Sequence, residues 1–305
     1  MSSEAFSVTF WGVRGGYPKP GPTTNKFGGN TTCFQVRAGP HLLIVDAGTG
    51  IIGLGEKLAA QHHADQEPIV ATMLFTHTHH DHTQGFPFFA PSYLASSILH
   101  IFGPRLLHRD LESVLEYAML PPLFPVRLDE LGSMHVIRNI SNNEMLILGD
   151  DRLAPPQVCN AYRERAVCAP WEVKVNIMRS YAHPQGTFLY CIEIDDRKLV
   201  VATDTEGYAG GDRRLIDFAR GADLLIHDAE YTTAEYLEGQ PSKQGWGHST
   251  WEMAVEVAQA AGVKQLALTH HNALHDDDFM EDMERQAQAR FPATVVAREG
   301  MTLEV

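Results

Sequence analysis

The chain has 305 residues, of which 44% are hydrophobic and 20% charged, and no Gly/Pro/Ser-rich linker divides it. This composition excludes a disordered chain and favours one large domain, 1–305, over two small ones. The formal charge of −14 argues against a long nucleic acid held by its phosphates, because such binding draws on clustered Lys and Arg; a small substrate fits better.

Residues 1–10 lack a basic stretch followed by an apolar run, and no window approaches the roughly 18 apolar residues of a membrane span. The expectation is a cytoplasmic protein with no membrane partner. Residues 6–11 and 32–45 read as β-rich segments of an antiparallel meander, separated by a Gly/Pro-rich loop at 12–30. A turn at 46–50 leads into a helical pattern at 51–61. The apolar run 69–75 is short and β-rich enough for a buried strand, and it ends at a dense polar cluster. Phe86, Phe88 and Phe89, just beyond that cluster, read as core and pocket wall rather than as a base-stacking platform. A helical pattern at 108–119 is broken by Pro121, Pro122 and Pro125. The stretch 149–170 is irregular and reads as an insertion or lid.

Strands resume at 172–181, 187–194 and 198–203. Asp212 can cap a helix that ends at Gly221, and 222–226 reads as a strand finishing at His227 and Asp228. Ser249 with Glu252 forms a capping box ahead of the apolar stripe Trp251, Ala254, Val255, Ala258 and Ala261, which Gly262 closes. A further strand at 264–268 runs out into His270 and His271. His275 with Asp276, Asp277 and Asp278 reads as a solvated helix start. The four cysteines, Cys33, Cys159, Cys168 and Cys191, are too irregularly spaced for a disulfide framework or a zinc-thiolate site; they read as buried thiols, with a Cys159–Cys168 bridge as the alternative.

Histidine is the compositional outlier, with 16 His against 14 Phe and 9 Tyr. Neutral imidazole is a common metal ligand, so the excess points to a metal site. Its focus is Thr76-His77-Thr78-His79-His80-Asp81-His82. In extended chain His77 and His79 project to one side, and Asp81 and His82 follow where the chain turns into a helix. One short segment can thus serve two neighbouring metals. A solvated loop gives no packing reason for three spaced imidazoles and a carboxylate to gather.

At these residues the chain resembles the metallo-β-lactamase superfamily, whose hallmark is a His-x-His-x-Asp-His loop. The resemblance implies an α/β fold of the αββα sandwich type: two mixed sheets packed face to face, with helices on the outer faces. It also implies that a later His, a bridging Asp and a last His arrive from strand ends. His183, Asp204 and His270 fall in that order, with His271 left open as the last ligand; taken alone, His183 and His270 would read as surface or capping histidines. The implied ligand set is His77, His79 and His183 for one ion and Asp81, His82 and His270 for the other, with Asp204 between them. Two divalent ions follow, zinc first, with Mn²⁺ or Fe²⁺ as alternatives. Asp46 reads as a support for the metal loop, through hydrogen bonds to backbone or to a ligand histidine.

Within the superfamily the chain resembles the branch of ribonuclease Z and the cyclic-phosphate phosphodiesterases. The carriers are Trp11-Gly12-Val13-Arg14-Gly15, Gly28-Gly29-Asn30-Thr31-Thr32, Asp46-Ala47-Gly48-Thr49-Gly50, Leu225-Ile226-His227-Asp228-Ala229 and Gly247-His248-Ser249-Thr250. The branch carries Glu where this chain has Asp228, one methylene shorter, and ribonuclease Z has a glycine-rich basic arm for transfer RNA that this chain lacks. The resemblance implies hydrolysis of a small phosphodiester, such as a cyclic nucleotide or related cyclic phosphate, by metal-activated water. Asp81, His248 and Asp228 would be catalytic, His248 as general acid oriented by Asp228. A homodimer follows from the resemblance alone. Thioester or lactone hydrolysis on the same metals is the alternative activity, and a catalytically weak metal-binding sensor is the alternative outside enzymes.

Overall fold

The computed structural model describes residues 5–105, 109–163, 169–208 and 210–305. In strand β1 (Phe6–Gly12), Phe6, Val8 and Phe10 are fully buried and alternate with partly exposed Ser7, Thr9 and Trp11. Strand β1 pairs antiparallel with β2 (Cys33–Ala38), which pairs antiparallel with β3 (His41–Val45). The β-rich segment expected at 32–45 is thus two strands of the antiparallel meander, turned at Gly39 and Pro40. Pro40 has no N–H for a ladder, and Gly39 takes a positive φ of 53° that suits a tight turn.

Helix α1 (Gly50–Asp65), β4 (Val70–Leu74), the short α2 (His80–Thr83), β5 (Ile98–Pro104), α3 (Leu111–Ala118) and β6 (Met134–Ile140) follow. Strands β3 to β6 lie parallel, and β15 (Thr302–Glu304) closes the other edge, giving the order β15-β1-β2-β3-β4-β5-β6. The helical pattern expected from 108 begins at Leu111, because Asp110 caps it by accepting from Ser113 N at 2.8 Å; His108 lies outside the described residues.

The second sheet runs β14 (Thr294–Val296), β13 (Gln265–Thr269), β12 (Leu224–Asp228), β11 (Arg197–Ala202), β10 (Thr187–Ile194), β9 (Val173–Ser180), β7 (Glu144–Leu148) and β8 (Gln157–Asn160). Its β11 to β14 part is parallel and the rest antiparallel. Helices α4 (Arg213–Ala219), α5 (Thr233–Glu238), α6 (Trp251–Ala261) and α7 (Asp277–Arg290) accompany it. Within 149–170, Gln157–Asn160 is an edge strand; Cys168, and with it the Cys159–Cys168 alternative, falls outside the described residues. Cys33 and Cys191 are buried.

Strand β10 shows how the layers assemble. Phe188, Tyr190, Ile192 and Ile194 enter the core between the sheets, together with Phe10, Val36 and Val45 of the first sheet. Leu189 and Cys191 point the other way, into the layer that α4, α6 and α7 cover. A third apolar layer, with Ile51, Leu54, Phe75 and Leu115, packs α1 and α3 on the first sheet. The result is an αββα sandwich. A strand buried on both faces must be apolar at nearly every position, as β10 is.

Two expectations need correction. Helix α6 is capped by Thr250, which accepts from Met253 N, and not by Ser249 with Glu252. The Ser249 hydroxyl donates instead to Thr205 O at 2.5 Å and its N–H donates to Asp228 Oδ1 at 3.0 Å, so both are committed elsewhere. His275 is buried rather than solvated, its Nε2 2.7 Å from Glu235 Oε1; Asp276 alone caps α7. Among the described residues no helix is long and apolar enough to cross a membrane.

Candidate metal centre

Strands of both sheets deliver their C-terminal ends to one pocket. From β4 the chain runs through Thr76 into His77 and His79, then turns into α2 with Asp81 and His82; from β9, β11, β12 and β13 come His183, Asp204, Asp228 and His270. Donor atoms of His77, His79 and His183 lie within 4.8 Å of one another, and so do those of Asp81, His82, Asp204 and His270. His183 Nε2 and His79 Nδ1 are 3.1 Å apart, and the buried Nε2 of His77 has no hydrogen-bond partner. In the second group, His270 Nε2 lies 3.2 Å from both Asp81 Oδ2 and Asp204 Oδ1, and His82 Nε2 lies 3.2 Å from Asp204 Oδ2. Asp204 Oδ1 is also 3.7 Å from His77 Nε2, so this carboxylate stands between the groups. His271 is turned away, its Nε2 donating to Ala297 O at 2.9 Å.

Hydrogen bonds behind the pocket fix which nitrogen faces it. Asp46 accepts from Thr76 N, Thr76 Oγ1 and His82 Nδ1, each at 2.8 Å, which leaves His82 Nε2 inward. With its proton given to Asp46, the Thr76 hydroxyl can accept from His77 Nδ1 at 3.1 Å, freeing His77 Nε2. His183 Nδ1 donates to Gly247 O at 3.0 Å, and Gly16 N donates to Asp81 Oδ2 at 2.8 Å. Two glycines permit this closeness. A Cβ on Gly15 would lie 2.3 Å from the His270 ring, and one on Gly247, whose φ is +93°, would lie 2.3 Å from His183 Nδ1.

Asp46, Asp204 and His270 have φ of 60°, 54° and 58°, the left-handed region that non-glycine residues seldom adopt. Each such residue costs on the order of 1–3 kcal/mol, held by the surrounding structure. All three sit where a strand ends and the chain must turn sharply to aim a side chain inward.

The electrostatics divide in the same way. Burial, against the pull of Asp204, lowers His183 to about 4 and also lowers His77 and His79, leaving neutral, ligand-ready imidazoles. Burial also opposes charge on His82 and His270, but Asp204 and the other carboxylates outweigh it and raise both. Asp204 and Asp81 are in turn held below the usual carboxylate range, because neighbouring imidazoles overcome burial. Such a cluster needs positive charge at its centre. An orphaned ligand nitrogen, converging donors and a carboxylate shared between two groups fit a divalent metal site.

Beside the ligands, His248 Nδ1 lies 2.7 Å from Asp228 Oδ2, so the shorter side chain still reaches. Asp228 Oδ1 is fixed by the N–H groups of Ser249 and Glu230 at 3.0 and 3.1 Å. The His248 ring stacks on His270, with centroids 4.8 Å apart and planes 12° from parallel. Burial works against its charged form, but Asp228 and then Glu230 outweigh this and push it up to about 9.

The sequence reading missed Glu230, whose Oε2 lies 3.3 Å from both His248 Nδ1 and His270 Nδ1. The available signal was its spacing: in an extended chain Asp228 and Glu230 share a face. Glu206 was missed too. It accepts from Gly245 N at 2.7 Å, Gly247 N at 2.9 Å and the Tyr236 hydroxyl, securing the loop that presents Gly247 O and His248.

A family model described as "Beta-lactamase superfamily domain" matches residues 41–271, the span that holds every clustered His and Asp residue above. Ribonuclease Z of Gemmatimonas aurantiaca is 24% identical over 257 residues, covering 77% of this chain and 80% of that protein. The metallo-beta-lactamase fold protein YhfI of Bacillus subtilis superposes with a TM-score of 0.67 at 19% identity, covering 99% of this chain and 100% of that one. A diphosphatase of the PhnP family superposes with a TM-score of 0.63 at 14% identity, covering 98% of each chain. The chain belongs to the beta-lactamase superfamily, in its ribonuclease Z-like branch, and is a metal-dependent hydrolase.

Proposed function

We propose that the chain hydrolyses a small phosphodiester, a cyclic nucleotide or a related cyclic phosphate, with two divalent ions. His77, His79 and His183 would hold one and Asp81, His82 and His270 the other, Asp204 being shared. Nitrogen and carboxylate donors without thiolate suit Zn²⁺, with Mn²⁺ or Fe²⁺ as alternatives. When bound, such a pair supplies an activated water and positive charge against the phosphoryl oxygens.

The observation that carries the reading is the His248–Asp228 pair, 2.7 Å long, at the pocket wall. Cleavage of an alkyl phosphodiester expels a basic alkoxide that needs a proton, whereas acyl transfer from a thioester does not. Asp228 and Glu230 both face Nδ1, so Nε2 is the nitrogen left to donate to the leaving oxygen. Their two carboxylates keep the ring charged near neutral pH and stop it rotating. The ribonuclease Z relative favours a second reading, in which the diester belongs to an RNA. Against it stand 24 Lys and Arg set beside 38 Asp and Glu.

Replacing His248 by Ala tests the assignment. It should slow alkyl diesters by roughly two to four orders of magnitude, the usual range for a positioned acid, and slow a p-nitrophenyl diester much less, because phenolate leaves unaided. Metal content should persist. Equal effects on all leaving groups would remove His248 as the acid.

A further inference from the structure

A cavity of about 610 Å³ opens between the metal loop and α3, within the size range of small-ligand sites. Thr78 and His80, which flank the candidate ligand His79, line it on one side, so the cavity abuts the loop that carries the candidate ligands. Phe88, on the turn after α2, and Tyr117, on α3, line it further out with Leu123. These three are 55%, 59% and 65% exposed, an uncovered apolar patch beside a polar metal site. The Phe88 ring is braced edge-on by Phe124, with centroids 5.4 Å apart at 89°.

We propose that this cavity seats a flat aromatic ring on the group the phosphate retains after cleavage, a nucleobase, while the phosphodiester lies at the metal centre. This rests on the phosphodiesterase reading above. Two observations favour an aromatic occupant over an alkyl one. The Arg109 guanidinium lies over the Tyr117 ring, 5.8 Å from its centroid, and this pair offers a stacking platform to a π-face. In a chain of net charge −14, none of the lining residues is acidic, and Arg109 makes no ion pair among the described residues. Arg109 is thus the one fixed charge in the lining and lies over the Tyr117 ring, while Phe88 and Leu123 wall in the ring that would stack there.

The test varies the retained group and keeps the leaving group constant. Thymidine 5′-(p-nitrophenyl) phosphate, hexyl p-nitrophenyl phosphate and methyl p-nitrophenyl phosphate all release p-nitrophenolate. In the metal-loaded enzyme the thymidyl ester should have the highest kcat/KM. Tyr117→Ala should lower the thymidyl-to-methyl ratio roughly tenfold, as loss of one stacking partner does, and Phe88→Ala should lower it through loss of the wall. An unchanged ratio in both variants overturns the proposal, and a hexyl ester favoured as strongly as the thymidyl one overturns its aromatic occupant. Binding of thymidine 5′-monophosphate, followed by ligand-observed NMR, separates the two readings. If no diester is turned over, the phosphodiesterase reading fails; binding that weakens in Tyr117→Ala still upholds the cavity, and no binding overturns it.

Discussion

Asp204 is the residue on which the two halves of the site depend. Its Oδ1 lies 3.2 Å from His270 Nε2 and 3.7 Å from His77 Nε2, so one carboxylate faces a histidine of each group. Its φ of 54° aims it into the pocket directly after β11, and neighbouring imidazoles hold it ionised despite full burial. Removing that shared charge should uncouple the groups. Asp204→Ala is expected to fall from about two bound divalent ions per chain to one or fewer, with a native circular dichroism spectrum, as bridged two-metal sites require. Metal analysis of protein purified without chelator decides it; two ions retained with full activity would remove Asp204 as the bridge. Glu230 acts on the opposite side of the pocket, where it and Asp228 hold His248 and His270 in stacked register.

At the scale of elements, the ends of β4, β9, β11, β12 and β13 make the site, and the loop before α6 completes it. Gly247 is the tight point of that loop: its carbonyl fixes His183 and its N–H is held by Glu206. Gly247→Ala would drive a Cβ against His183 Nδ1 and strain a φ of +93°. Affinity for metal should fall about 10- to 100-fold, the usual cost of disturbing a group that orients a ligand, with the fold retained. Chelator competition measures this, and unchanged affinity in a folded variant would show that the loop does not orient His183.

The strands that carry the clustered His and Asp residues were legible because apolar runs ending in His or Asp are local patterns, and because the order of His183, Asp204 and His270 behind the first motif is read along the chain. Glu206 was not legible, since its partner Gly247 lies 41 residues away, and Glu230 had only its spacing from Asp228 as a signal, its partner His248 lying 18 residues on. The cap of α6 was misplaced by one residue for the same reason. Ser249 is a good cap by type, but its hydroxyl is drawn to Thr205 O, 44 residues away in sequence. Strands β6 and β8 were not legible because both are partly exposed: in β6 exposed and half-buried residues alternate up to Ile140, but the exposed positions include Met134 and Val136, so polarity does not mark the two faces.

For the whole molecule, two sheets packed through Phe10, Val36, Phe188 and Tyr190 form a rigid frame, and the site lies where the parallel parts of both sheets end. The chain's charge of −14 surrounds a pocket that two cations would make locally positive, which suits a small anionic diester and disfavours a polyanion. The most direct measurement is the kcat/KM of zinc-loaded protein for a cyclic nucleotide panel, a precursor transfer RNA, a thioester and a lactone, at low and moderate salt and with a chelated control. The account predicts that a small phosphodiester is the best substrate, that its turnover varies little with salt and that chelation abolishes it. Preferred, steeply salt-dependent cleavage of the RNA, or a thioester or lactone as the best substrate, would contradict it.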